Sequence, residues 1–451
     1  MASILAEKDR SCIWHPFTQM KTARMPIPIV QAKGIYLYSD DGRCFLDGIS
    51  SWWVNLHGHG HPHIINRIKS QLDEVQHISF SDFTHNPAID LASRLIPLLP
   101  GDMSRIFYSD NGSTAVETAL KMALQYWHNR EITKTKVIAF KNSYHGDTFG
   151  AMSAAGKNEF HRPFWKYLFN VEIIDPPLRG NEEKSVAQLH SVLEDGTAAC
   201  FIFEPLVLGS GGMTIYPAEG LDTLLKLCRQ HHVLTIADEV MTGFGRTGTL
   251  FACEQLVETP DIICLSKGLT GGFLPLGATA CTEDIFNAFL SDDLRQALLH
   301  GHSYTANPLA CASALASLDL LQEASSYLQR EMIAAAHKEF CRQWKHHPRF
   351  KRCESIGTIL VVEYRTVGTT SYFQPLRDRL YDFFLACGIW IRPLGNTLYI
   401  LPPYCITREE LIHIYEQIEH SISEEFYESF TDNNRALSST SCQVAEYTII
   451  P

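Results

Sequence analysis

From about residue 100 to 310 the chain alternates short apolar or β-branched runs with stretches of helical periodicity. The runs "RIFYS" (105–109), "KVIAF" (136–140), "VEIID" (171–175), "ACFIFEPL" (199–206), "VLTIADEV" (233–240), "DIICLS" (261–266) and "GATACT" (277–282) predict strands. Several are continuously apolar rather than alternating, which is the pattern of strands covered on both faces. Between them, "STAVETALKMALQYWH" (113–128) sets Val116, Leu120, Ala123 and Trp127 at helical spacing, and "GLDTLLKLCRQHH" (220–232) is amphipathic in the same way. Strands alternating with helices predict an α/β fold on a mainly parallel, doubly wound sheet.

Beyond residue 320 the texture changes. A helical stretch precedes expected strands at 358–365, 389–394 and 397–403, with helices near 375–387 and 408–426, which predicts a smaller α+β domain. Near the N-terminus, "GIYLYSDDGRCFLDG" predicts a hairpin. The expected division is an N-terminal segment (1–55) packing with the small domain, a large domain (56–320), the small domain itself (321–430), and a polar, flexible tail (431–451).

The bulk numbers narrow the classes of function. With 451 residues, 45% apolar and 20% charged, the composition is that of an ordinary globular protein. A net charge of −12 without a basic stripe argues against a nucleic-acid partner. No apolar run is long enough for a membrane span and the start lacks the pattern of a secretory leader, so no membrane partner and a cytoplasmic location are expected. The 13 cysteines are scattered with no C-x-x-C pair, which predicts neither a disulfide framework nor a zinc ribbon.

The stretch "LHGHGHPH" (56–63) places His57, His59, His61 and His63 at alternate positions, which in an extended strand would share one face and could hold a metal. Two glycines and Pro62 interrupt any regular strand there, whereas zinc needs three or four converging ligands. The expectation is a bend and no metal, with Pro62 opening the helix "PHIINRIKSQL".

Three segments carry the chemistry. "SDNGSTAVETAL" ends a strand, turns on Asn111–Gly112 and opens a helix, so N–H groups converge where a phosphate would be favoured, at Gly112 and Ser113. Taken alone, the segment reads better as a plain strand–turn–helix with Ser113 as N-cap. "VLTIADEV" carries Asp238 and Glu239 at the carboxyl end of an apolar strand, where ligands of open α/β sheets sit. A protonated pyridine nitrogen would partner such a carboxylate, since two charges 4 Å apart interact by roughly 4 kcal/mol at an effective dielectric of 20. Acids that merely end a strand are the alternative. "DIICLSKGLTGG" sets Lys267 between an apolar strand and a glycine-rich turn, where burial would lower its pKa and favour a Schiff base with an aldehyde. A snorkelling surface lysine is the alternative.

Together with "IWHPFTQMK" (13–21), "DGISSWWVNLHGHGHP" (47–62), "MALQYW" (122–127), "YHGDTFGAMS" (144–153), "ADEVMTGFGRTG" (237–248) and "WIRPLG" (390–395), these segments resemble the class III aminotransferases, of fold type I and dependent on pyridoxal 5'-phosphate. The resemblance runs from about Ile13 to Gln417 and is sharpest to the branch that aminates 8-amino-7-oxononanoate to 7,8-diaminononanoate in biotin synthesis. It implies that Lys267 binds the cofactor covalently and is catalytic, that Asp238 partners the pyridine nitrogen, and that Gly112 and Ser113 hold the phosphate. It implies that His302 and Ser303 reach that phosphate from the neighbouring subunit of a homodimer, and that Tyr144 stacks near the ring and touches substrate. Phe17, Trp52, Trp53 and Gly301 would contact substrate, and Arg392 would fork onto a substrate carboxylate. The reaction would be ping-pong through the pyridoxamine form, with S-adenosylmethionine or lysine as donor.

Three positions depart from the branch. Phe17 replaces a usual tyrosine, His302–Ser303 replaces a frequent Pro–Thr, and Leu208 replaces a usual glutamine. The first two resemble a sub-branch for which lysine is the proposed donor, whereas Trp52–Trp53 resembles the branch using S-adenosylmethionine. "GFGRTG" (243–248) satisfies the dinucleotide fingerprint but neither ends a strand nor precedes an acidic strand end about 20 residues on. A class III enzyme acting on another ω-amino acid, and a metal-binding or non-catalytic protein using the histidine run, are the other functions to separate.

Overall fold

The computed structural model describes residues 3–366 and 370–423. Its centre is a seven-stranded sheet in the order Met103–Ser109, Gly277–Thr282, Ile262–Leu265, Leu234–Asp238, Ala198–Phe203, Lys136–Phe140, Val171–Ile174. Each of the seven runs read as strands lies in it. Gly277–Thr282 runs antiparallel to both neighbours and the pairs on the far side are parallel.

The continuously apolar strands divide their side chains between two cores. Ile262 and Cys264 pack with Ala115, Val116 and Ala119 of the helix Gly112–Asn129, while Ile263 and Leu265 join Phe201, Phe203 and the helix Ala218–Gln230 on the opposite face. Burial on both faces explains why period-two alternation is missing from these segments. Among the described residues no helix is long and apolar enough to cross a membrane.

The hairpin read near the N-terminus forms, as Tyr36–Ser39 against Cys44–Asp47. Ile389–Trp390 then adds parallel to Cys44–Asp47, so the beginning and the end of the chain share a sheet. The strand expected at 389–394 is only these two residues, ending where its partner Cys44–Asp47 ends, with Asp47 opposite Trp390. Phe350–Ile356, "FKRCESI", is a strand the pattern did not announce; it pairs with Ile359–Tyr364, which in turn pairs with Thr397–Ile400. The final helix is Arg408–His420, shorter than expected, and the tail read as flexible lies outside the described residues.

Candidate active site

The carboxyl ends of the parallel strands open on a cavity of about 710 Å³. Asp238 closes Leu234–Asp238, Glu204 follows Phe203, Tyr144 and His145 follow Phe140, and Lys267 stands two residues beyond Leu265. Gly112 and Ser113 begin the helix after Met103–Ser109 and line the same space.

The helix cap is Asn111, not Ser113. Its side chain accepts the Thr114 N–H at 3.0 Å while the Thr114 hydroxyl accepts the Asn111 N–H. This capping box leaves the side chain of Ser113 for Thr148, with their hydroxyls 2.8 Å apart and the Thr148 N–H donating to Ser113 Oγ at 3.1 Å. Gly146, at φ 126°, passes so close that a Cβ there would lie 2.2 Å from Ser113 Oγ. Residue 146 can therefore carry no side chain beside the helix N-terminus, where first-turn N–H groups favour an anion.

Asp238 is buried, with its carboxylate 2.7 Å from His145 Nδ1 and accepting the Val240 N–H at 3.1 Å. Glu204 is buried beside it. One of its oxygens accepts the Tyr144 N–H and the other the Gly209 N–H, both at 2.9 Å, so a single carboxylate ties together two loops that flank the cavity. Burial is the main cause that pushes the Glu204 carboxyl up to about 7. The Tyr144 hydroxyl donates to Asp147 at 2.8 Å.

Lys267 starts a short 3₁₀ turn at φ 45°, with Nζ 4.3 Å from the centroid of the Trp53 ring. Burial brings its amine down to about 8, with Arg246 acting in the same direction and Asp238 and Glu204 opposing. Arg246, central in the decoy "GFGRTG", is 1% exposed and donates to the carbonyls of Pro402, Asn55 and Trp53 at 2.9, 3.2 and 3.4 Å.

Trp52 and Trp53 stand on an unusual turn. Ser50, Ser51, Trp52 and Trp53 all have positive φ, at 52°, 45°, 68° and 74°. A left-handed turn costs non-glycine residues roughly 1–2 kcal/mol each. It sends adjacent tryptophans into different spaces, since Trp53 faces Lys267 while Trp52 lies 4.2 Å from the Arg392 guanidinium and 5.5 Å, edge-on, from Phe17. Phe17 and Arg392 line a second, outer cavity of about 970 Å³.

Gly301, His302 and Ser303 line neither of these cavities. Leu208 is 1% exposed within the apolar core, on the two-residue strand Val207–Leu208, and does not line the inner cavity; a glutamine there would be buried among apolar groups. The histidines diverge: His57 meets Ser317 at 3.0 Å, His59 meets Asp47 at 3.0 Å, His63 meets Asp319 at 2.9 Å, and His61 precedes the helix Pro62–Leu72. Among the described residues no group of three or more His, Cys, Asp or Glu is placed to hold a metal. Glu204, His145 and Arg246 had not stood out as site residues; Glu204 alone had a readable signal, as an acid directly after a continuously apolar strand.

The family model of the class III aminotransferases matches residues 17–422. The adenosylmethionine-8-amino-7-oxononanoate aminotransferase of Synechococcus elongatus is 45% identical over 420 residues, 91% of this chain and 98% of its own. The solved structure of the enzyme of that name from Methanocaldococcus jannaschii superposes with a TM-score of 0.87 at 36% identity, covering 93% of this chain and 99% of its own. An amine transaminase from an uncultivated Pseudomonas species, solved in its PLP-bound form, gives 0.84 at 30% identity over 90% and 97%. With its strand-end lysine and aspartate, its helix N-terminus and a match over most of its length, the chain belongs to the class III aminotransferases.

Proposed function

We propose that this protein is a pyridoxal-phosphate-dependent aminotransferase that converts 8-amino-7-oxononanoate to 7,8-diaminononanoate, with S-adenosylmethionine as donor. The observation that carries the reading is a half-buried lysine, Lys267, whose amine is brought down to about 8, sharing one cavity with the buried carboxylate of Asp238 and the helix N-terminus at Gly112–Ser113. These groups fit the cofactor, whose aldehyde, ring nitrogen and phosphate need an amine, an acid and an anion site. The relatives' names support the acceptor and the donor.

When bound, the cofactor supplies an aldehyde that captures amines and a ring that withdraws electrons. The chain's own groups do the rest. Lys267 would hold the cofactor and then, once released and with its amine brought down to about 8 by burial, take and return the proton at the substrate's reacting carbon. Asp238, its direction set by His145 and the Val240 N–H, keeps a proton on the ring nitrogen. Gly112 and Ser113 hold the phosphate, and Tyr144 and Trp53 wall the ring and exclude water. Phe17 and Arg392 border the second cavity and Trp52 packs against both, with Arg392 offering its guanidinium to a substrate carboxylate.

A homodimer belongs to the same reading, with Gly301, His302 and Ser303 serving the partner's site. In support, these three residues line neither of the two cavities described above and are flanked by the exposed apolar side chains of Leu294, Leu299 and Tyr304. A cytoplasmic location is supported by the cysteines, none of which among the described residues is in a disulfide.

The test is to incubate purified, cofactor-loaded protein with 8-amino-7-oxononanoate and either S-adenosylmethionine or lysine, and to follow 7,8-diaminononanoate by mass spectrometry. Product with S-adenosylmethionine supports the proposal. Product with lysine alone overturns the donor, and no product with any donor overturns the acceptor.

A further inference from the structure

One member of the histidine-rich stretch, His59, touches the most strained backbone of the pocket wall and has no part in the reading above. The left-handed turn Ser50–Trp53 is held at its start by Asp47, which is fully buried. One Asp47 oxygen accepts the N–H groups of Ile49 and Ser51 at 3.2 and 3.0 Å, and the other accepts the Ser51 hydroxyl at 2.9 Å. At its end stands Asn55, whose side-chain oxygen accepts the Gly58 N–H at 2.8 Å. The His59 imidazole spans the two: Nε2 is 3.0 Å from Asp47 Oδ2 and Nδ1 is 3.1 Å from Asn55 Nδ2. With the asparagine amide donating to Nδ1, the ring donates through Nε2 to the carboxylate.

We propose that His59 is a positioning residue, locking the left-handed turn from both ends and so setting where Trp52 and Trp53 point. The inference rests on the reading that these tryptophans wall the substrate site. Backbone strain of this kind persists only where surrounding groups over-determine it. Here Asp47 fixes the first half of the turn, Arg246 accounts for the Trp53 and Asn55 carbonyls, and His59 alone bridges Asp47 to Asn55. The path of the main chain at His59 is secured without its side chain, because its N–H and C=O both pair with Gly34. Truncating the ring therefore releases the turn and leaves the fold.

The test compares His59→Ala, His59→Gln and His59→Asn. A glutamine amide can reach the place of Nε2 and donate to Asp47, whereas an asparagine amide is too short and overlaps Nδ1 instead. Hydrogen exchange of the segment 48–56 in cofactor-free protein reports the turn without any substrate; steady-state kinetics with 8-amino-7-oxononanoate report the pocket. For the loss of one hydrogen bond to a buried charge, His59→Ala is expected to speed exchange and raise KM by about tenfold each, with kcat within about threefold. His59→Gln is expected to restore both and His59→Asn neither. Wild-type exchange in His59→Ala, a glutamine variant no better than alanine, or faster exchange with unchanged KM would each overturn the proposal. If the wild-type protein does not turn over the ketone, the functional reading fails, while exchange still decides the role of His59 in the turn.

Discussion

Replacing Glu204 with glutamine sets two effects of known sign against each other. The wild-type carboxyl is pushed up to about 7 from its ordinary 4.5, chiefly by burial. The folded protein thus holds this proton more tightly than the unfolded chain, so the group's contribution to stability is complete below about 4.5 and is lost as pH rises through about 7. At 1.36 kcal/mol per pH step that loss amounts to roughly 3 kcal/mol. Glutamine does not titrate and removes this slope. It also brings one oxygen and one NH₂ where the Tyr144 and Gly209 N–H groups each need an acceptor, leaving a buried donor unpaired at a cost of roughly 1–3 kcal/mol. Glu204→Gln should therefore be the less stable protein at pH 5.5 and should draw level with wild type by pH 8.5. Of that loss about 2 kcal/mol falls between pH 5.5 and 8.5, and the unfolding entropy of a chain of this length is roughly 0.9 kcal mol⁻¹ K⁻¹, so the gap between the melting temperatures should close by about 2 °C over that range. Scanning calorimetry of the two cofactor-free proteins at matched pH measures it. Profiles that stay parallel would refute the assignment of a buried, titrating carboxyl at Glu204.

Lys267→Met abolishes transamination yet should stabilise the cofactor-free protein at pH 7. Burial lowers the amine to about 8, so the folded state rejects this proton, and the penalty is largest below 8 and fades towards 10.5. After allowing for the contact with Trp53, the gain is about 1–2 kcal/mol at pH 7 and disappears near pH 10, as thermal melts across pH would show. Gly146→Ala drives a methyl into Ser113 Oγ at a φ of 126°, and should weaken pyridoxal phosphate binding by about tenfold or more in an absorbance titration. Leu208→Gln buries an amide in the apolar core and should lower the melting temperature by about 1–3 °C without changing cofactor affinity.

The large sheet was legible because several of its strands are continuous apolar runs, and Asp238 and Lys267 because each breaks such a run at its carboxyl end. Glu204, in "ACFIFEPL", breaks a run in the same way, but its two N–H donors come from loops 60 and 5 residues away, and only the folded chain brings them together. Arg246 was hidden for a different reason. Its acceptors are backbone carbonyls more than 150 residues distant, which no residue type announces. The left-handed turn at "SSWW" was illegible because such turns are normally marked by glycine or asparagine, and here the surroundings impose the conformation on serine and tryptophan. "FKRCESI" carries three charges in seven residues and became a strand through its neighbour Ile359–Tyr364, which is buried along its whole length.

The placement of Gly277–Thr282 bears on the order in which the molecule can be made. Met103–Ser109 is the edge strand that leads into the Gly112–Ser113 turn, and in the sheet its one hydrogen-bonded neighbour is Gly277–Thr282. A chain emerging from the ribosome must therefore carry that edge uncovered for roughly 170 residues, long after its own helix can form. Synthesis that stops shortly before the second of these strands yields a fragment that includes both Asp238 and Lys267, with an open β edge beside an unfinished anion site. Such a fragment is a substrate for aggregation or for chaperones, not a weakened enzyme.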